Sequence, residues 1–210
     1  MKCAAREFYR NPETYADRVF CSEDTFAVAD GMGLGKGAVL ASSKAVELVG
    51  RYRPFSSSGD MEEFFKRANL KIMEEIAKLG DRHITGTTLS VVSFSRGRFV
   101  LGHVGDSRVY LLRDGSLKQL TRDQIELRNG RKQVSVLGID WKLNVLTEEG
   151  ALCRGDIFLL ISDGAVNHLS DEDIKDVLSE DVEGSAEKLL ELYREKNPEE
   201  DMSFTIVLIE

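Results

Sequence analysis

Three short apolar runs, each with a carboxylate at one end, constrain this chain more than any other feature. They are Thr25-Phe26-Ala27-Val28-Ala29-Asp30-Gly31, Ile157-Phe158-Leu159-Leu160-Ile161-Ser162-Asp163-Gly164, and Glu200-Asp201-Met202-Ser203-Phe204-Thr205-Ile206-Val207-Leu208-Ile209. Each is bounded by turn residues, which predicts a short buried strand. In the first two, the Asp closes the strand and a Gly opens a loop. In the third, the acids stand just before the strand. If these strands are neighbours, their acids meet at one rim of a sheet. A carboxylate cluster at a core edge repels itself, and a hard cation is its natural partner. The pattern points to a metal-dependent enzyme.

The chain has 210 residues, enough to bury a sizeable core, and residues 1–210 are expected to form one domain. It carries a net charge of -8 with no basic cluster, which argues against a nucleic-acid partner. No apolar stretch approaches the roughly 18 residues of a membrane span, and the N-terminus lacks a signal-peptide pattern. Cys3, Cys21 and Cys153 are odd in number and lack metal-ligand spacing. They predict a reducing cytoplasm and no zinc site.

Along the chain, Arg18–Cys21 and Thr25–Ala29 predict a hairpin joined by Ser22-Glu23-Asp24. Gly31 to Gly37 reads as a flexible loop. Val39, Ala45, Val46 and Val49 fit one face of a helix over 38–51. Asp60 is the expected cap of a second helix, whose Phe64, Leu70, Ile72, Met73 and Ile76 keep helical spacing. Strands are expected at 87–94, 99–104, 107–112, 143–146 and 156–162. Turns at Arg96-Gly97-Arg98 and Arg113-Asp114-Gly115 join the earlier ones. Residues 122–135 read as a loop or short helix. Helices near 171–178 and 185–196 precede the last strand. Strands grouped together, with helices in pairs, argue an α+β fold with helices covering sheet faces.

Gly33-Leu34-Gly35-Lys36-Gly37-Ala38 fits a dinucleotide fingerprint on letters alone. The following helix leads to another helix and not to a second parallel strand, which argues against that reading. Asp30 would also repel a pyrophosphate. Gly37 stands where a Walker loop needs Ser or Thr. Lys36 is expected to be solvated. His83, His103 and His168 show no helical pairing, and His103, inside a strand, is expected to be a satisfied core residue.

Six segments in order carry a more specific likeness. They are Phe26 to Gly33, Gly86-Thr87-Thr88-Leu89, Gly102 to Tyr110 with Gly105-Asp106-Ser107-Arg108 inside it, Leu120-Thr121-Arg122-Asp123, Leu160 to Gly164, and the acid-Met-Ser strand at 200–209. Together they resemble the metal-dependent (PPM, or type 2C) protein serine/threonine phosphatases along nearly the whole chain. The resemblance implies two antiparallel β-sheets packed as a sandwich and flanked by helices on both sides, a four-layer αββα arrangement. It implies two Mn2+ or Mg2+ ions at one end, with a weaker third. Asp30 would bridge the two ions, the Gly31 carbonyl would reach one of them, and Asp163 would bind the first. These make Asp30 and Asp163 the residues on which catalysis turns, and Asp106 would help hold the third ion. The implied reaction is hydrolysis of phosphoserine or phosphothreonine by a hydroxide that bridges the metals. The implied partner is a phosphorylated protein, in the smaller bacterial branch a small regulatory phosphoprotein, and the enzyme is expected to be monomeric.

The chain departs from the family pattern at several places. Asp17 aligns with a ligand Asp, but Ala16 stands where a metal-binding Glu is expected. Pro12 replaces a phosphate-binding Arg, leaving Arg10 and Arg18 as the nearby substitutes. The last motif reads Glu200-Asp201 where Asp-Asn is usual, so either acid is a metal-ligand candidate. Asn167 replaces an Asp that supports the third ion. Met32 takes the place of a general-acid His. The short span between Asp123 and Leu143 implies a trimmed or absent flap. These departures are similar to those of the smaller bacterial branch. They also support a rival reading, a catalytically weak or inactive member that binds a phosphoprotein or regulator without hydrolysing it.

Overall fold

A computed structural model describes residues 1–33, 35–80, 83–128 and 130–210. In chain order the strands are β1 (Lys2–Phe8), β2 (Arg18–Cys21), β3 (Thr25–Ala29), β4 (Gly31–Met32), β5 (Gly86–Thr87), β6 (Leu89–Ser95), β7 (Arg98–Val104), β8 (Arg108–Arg113), β9 (Ser116–Gln119), β10 (Ile125–Arg128), β11 (Arg131–Val134), β12 (Leu146–Ala151), β13 (Ile157–Ile161) and β14 (Met202–Leu208). The helices are α1 (Lys36–Tyr52), α2 (Ser58–Leu79), α3 (Asp163–Val166), α4 (Asp171–Val177) and α5 (Val182–Glu195).

Two five-stranded antiparallel sheets form the centre. One has the order β1-β14-β13-β8-β9 and the other β12-β7-β6-β3-β2. Side chains alternate across each strand, so each apolar run feeds two cores at once. Phe26 and Val28 of β3 point into the space between the sheets, where they meet Phe158 and Leu160 of β13 and Val207 of β14. Ala27 and Ala29 point the other way, against Ala41, Ala45, Leu48 and Phe65 of α1 and α2. Ile157, Leu159 and Ile161 face α5 through Leu189, Leu190 and Tyr193. This is why the runs read as continuously apolar: both faces are buried. In the central layer the rings of Phe94 and Phe99 pack 5.0 and 5.3 Å from Phe158. The result is the four-layer αββα sandwich expected. Among the described residues no helix is long and apolar enough to cross a membrane.

Tight turns fix the registers. Arg96-Gly97 and Asp114-Gly115 each supply two successive positive φ angles, 51° and 73° and 51° and 72°. Two-residue hairpin loops of this kind match strand twist.

Four local expectations need correction. Ser57, not Asp60, caps α2, its hydroxyl accepting from the Asp60 amide at 3.1 Å. Leu70 is exposed, and Met61, Phe65 and Ala68 complete the buried face instead. The strand expected at 143–146 begins only at Leu146 and runs to Ala151, pairing with β7 as an edge. Its Thr-Glu-Glu-Gly stretch is polar because one face meets solvent. Residues 125–134 form a hairpin, β10 with β11, not a loop or helix, although Asn129 lies outside the described residues, as does Leu34 of the Gly loop. The flap is therefore short but present.

Candidate metal centre

Antiparallel pairing sets Arg18 opposite Ala29. One step further along each strand, Asp17 and Asp30 come together at the end of the sandwich. β13 ends beside the start of β14, with the Ser162 amide donating to the Ser203 carbonyl and the Ser203 amide to the Ser162 hydroxyl, both at 2.9 Å. That junction puts Asp163, the first residue of α3, next to Glu200 and Asp201. Any side chain at Gly164 would run into the Asp201 carbonyl, so the close approach depends on glycine. Gly31 is equally constrained, since a Cβ there would lie 2.6 Å from the Ala38 carbonyl oxygen and 2.8 Å from that of Ala16.

Two clefts flank these acids. One, of about 490 Å³, is lined by Arg10, Thr14, Ala16, Asp17, Asp30, Gly31, Asp163, Glu200 and Asp201. The other, of about 180 Å³, is lined by Asp30, Met32, Thr88, Asp106, Val134, Val136 and Asp163. Asp30 and Asp163 thus stand in the wall between them. The structure brings Asp17, Asp30, Gly31, Asp163, Glu200 and Asp201 to the first cleft and Asp106 to the second. Among the described residues, no three of these acids are close enough around one point to make a finished metal site.

Electrostatics mark the same place. Burial, then the charges of Asp17 and Asp163, push the Asp30 carboxyl well above the usual carboxylate range. Burial raises Asp17 to about 6, against the pull of the Ser162 hydroxyl. Burial and the Asp163 charge raise Asp106 to about 7. Groups held this way are short of positive charge. The buried side-chain atoms left without a hydrogen-bond partner among the described residues, Tyr15 OH, Asp17 Oδ2 and Ser203 Oγ, include one carboxylate oxygen of this set. An all-oxygen donor set with an orphaned carboxylate oxygen suits a hard divalent ion.

The two C-terminal acids are partly engaged. Glu200 Oε2 accepts from Asn167 Nδ2 at 3.1 Å and lies 3.5 Å from His168 Nε2. Asp201 Oδ1 accepts from the Arg10 amide at 3.1 Å. Arg10 lines the acid cleft, whereas Arg18 is turned to the Ser43 hydroxyl and its own neighbouring carbonyl. Lys36 is exposed, as expected of a solvated residue. His103 is fully buried and satisfied. Its Nδ1 pairs with Ser90 Oγ at 2.9 Å, and its Nε2 with the Gly105 carbonyl at 3.0 Å.

Other contributors had no role assigned from sequence. Thr88 Oγ1 accepts from the Asp30 amide at 3.1 Å, and the Thr88 amide and Thr87 hydroxyl donate to the Asp30 carbonyl at 2.8 and 2.9 Å. These bonds hold the Asp30 peptide in place. Arg108 forks onto Asp123 at 2.9 and 2.8 Å, behind Asp106. Val134 and Val136, from the hairpin and the residues after it, wall the smaller cleft. The Thr-Thr pair was visible as a motif, but hydrogen bonds across more than fifty positions have no local signal.

A two-sheet sandwich with helices outside and acids gathered at one end defines a class of protein. The chain belongs to the protein phosphatase 2C family, whose model matches residues 15–204. It is 30% identical over 199 residues to the serine/threonine protein phosphatase PstP of Mycobacterium tuberculosis, which covers 84% of this chain but only 38% of that protein. It is 28% identical over 176 residues to the serine/threonine phosphatase stp of Listeria monocytogenes, covering 72% of this chain and 70% of the relative. Among solved structures, the catalytic domain of PstP in complex with two manganese ions superposes with a TM-score of 0.88 at 25% identity, over 100% of this chain and 98% of that one. The Mycobacterium smegmatis phosphatase MsPP, at 22% identity and a TM-score of 0.85, shares the fold.

Proposed function

We propose that residues 1–210 form one phosphatase domain that hydrolyses phosphoserine or phosphothreonine in a protein, with Mn2+ or Mg2+ bound at the acid end of the sandwich. The observation that carries this reading is the gathering of Asp17, Asp30 and Asp163 on one cleft, from three separate stretches of chain, with Asp106 behind them. Asp17, Asp30, the Gly31 carbonyl and Asp163 would hold a pair of ions, with Glu200 or Asp201 completing the set, and Asp106 would face a third. When bound, such ions supply a water that loses its proton near neutral pH and positive charge to offset the phosphoryl oxygens. The chain's own contribution is positioning. The two threonines fix the Asp30 peptide, and Gly31 and Gly164 let the segments close up. Arg10 lines this largely acidic cleft and would supply a cation to an incoming phosphate. Among the described residues that line the cleft none is aromatic, so a base would find no stacking platform there, which favours a peptide phosphoester over a nucleotide. A cytoplasmic monomer acting on a small regulatory phosphoprotein completes the reading.

A second reading has one specific support. Glu200 is already held by Asn167 and His168. A member built this way could bind a phosphoprotein without turning it over. Hydrolysis of a small aryl phosphate and of a phosphothreonine peptide, with manganese and then with excess chelator, separates the two. Turnover that chelator abolishes supports the phosphatase. Phosphopeptide binding without turnover, at any manganese concentration, supports the rival.

A further inference from the structure

At the end of the sandwich away from the acid clefts, two thiols face each other across the gap between the sheets. β1 and β2 are edge strands of different sheets. Cys3 is opposite Val207, and Val207 packs between the sheets, so Cys3 points to the same side. Cys21 is opposite Phe26, which also packs between the sheets. Cys21 Sγ lies 3.3 Å from Thr205 Oγ1. Thr205 is opposite Ala5, which makes it the diagonal neighbour of Cys3 on the same face of the same sheet. Both cysteines are free and exposed. Burial raises the Cys21 thiol and the Thr205 hydroxyl lowers it, while the Cys3 thiol is near enough to add to the rise.

We infer that Cys3 and Cys21 form a modification site: a reversible intramolecular disulfide that staples the two sheets together along their open edge. The oxidant is a small-molecule disulfide of the oxidised glutathione type. One protein thiolate attacks a sulfur of that disulfide and releases one glutathione thiolate. The second protein thiolate attacks the protein sulfur of the mixed disulfide and releases the other. Two protein thiols are oxidised, one small disulfide is reduced to two thiols, and the two protons end on the departing thiolates. The staple closes the stretch from residue 3 to residue 21. That stretch contains Arg10, Thr14, Ala16 and Asp17, which form one wall of the acid cleft. The cross-link itself lies five strand positions from the β1–β2 connection on one side and three on the other. It should restrain that wall without entering the cleft. The inference does not depend on the phosphatase reading.

The full chain incubated with oxidised glutathione at pH 8 and then alkylated is analysed by intact mass and by peptide mapping. The expected product has lost two hydrogens, carries one alkyl group on Cys153, and yields a Cys3–Cys21 linked peptide. Its melting temperature should exceed that of the reduced protein by roughly 5–10 °C, from the constraint on the unfolded chain, and dithiothreitol should reverse the gain. Cys3→Ser and Cys21→Ser should each abolish the link, and Cys153→Ser should not. Three alkylated thiols, stable separate glutathione adducts on Cys3 and Cys21, or links only between molecules would overturn the assignment. So would a linked protein that melts no higher than the reduced one, since a link that strains the native sheets is not a staple of this edge.

Discussion

Asp106→Asn should stabilise the metal-free protein, and the gain should shrink as pH falls. The Asp106 carboxyl is raised to about 7 by burial and by the charge of Asp163. A group whose folded pKa is raised contributes stability that is complete below its unfolded value, near 4, and is lost as pH rises through 7. At pH 8 the ionisable side chain therefore costs the folded state about 4 kcal/mol, and at pH 5 about 1.5 kcal/mol, as ceilings. Asparagine keeps the shape and carries no proton to lose. Urea or thermal unfolding in chelator, on both proteins at pH 5 and pH 8, gives the difference directly. Titrating groups away from the acid cluster, His103 among them, are common to both proteins and cancel; Asp30, which the Asp106 charge also raises, relaxes in the variant and adds to the gain. For a chain of this length the pH 8 gain corresponds to a melting-temperature rise of roughly 5–15 °C. Saturating manganese should narrow or reverse the difference, because the wild-type carboxylate then has its partner. A variant equally or less stable at pH 8 in chelator, or a gain that does not change with pH, would refute the claim that Asp106 is an uncompensated buried acid.

Three further outcomes follow from the same geometry. Asp30→Asn should lower turnover at least a hundredfold in a manganese-dependent aryl phosphate assay while circular dichroism stays unchanged, because Asp30 is shared by both clefts; near wild-type turnover would remove it from the centre. Ala16→Glu should lower the manganese concentration needed for half-maximal activity, since the Ala16 Cβ already faces Gly31 at the cleft wall; an unchanged requirement in a titration of both proteins would mean that another group fills that position. His103 is held down to about 4 by burial, so its stability contribution is present above 6.5 and lost as pH falls toward 4. It should account for about 3 kcal/mol of acid destabilisation over that window, and His103→Gln should flatten the fall when unfolding free energy is measured between pH 6.5 and 4.

The parts legible in sequence were those with a local signature. β3, β13 and β14 were plain because both faces are buried, and the hairpin turns because Gly97 and Gly115 mark them. Asp30 and Asp163 stood out because each ends such a strand. Less was visible where the structure spends polar residues on one face. β12 hides in Thr147-Glu148-Glu149-Gly150, and the β10–β11 hairpin in an alternation too weak to read, although the Asn-Gly dipeptide at 129–130 was the available signal. The partners of Glu200 were beyond reach, because nothing in Asn167 or His168 says that α3 will carry them to that carboxylate. The meeting of Cys3 and Cys21 required two registers to be known together.

The pairing of β1 with β14 has a consequence in time. Seven residues near the start of the sequence, Lys2 to Phe8, bond to seven from Met202 to Leu208. β14 is also the strand that joins β1 to β13. During synthesis the second sheet, from β2 to β12, can assemble while β1 still waits for its neighbour. The acid end then closes last, when the 202–208 segment emerges and brings residues 163 and 201 to residues 17 and 30, which the pairing of β2 with β3 has already set side by side. Contacts of such long sequence separation make for slow folding. A nascent chain of this kind carries no assembled carboxylate site that could capture metal before the whole domain has been made.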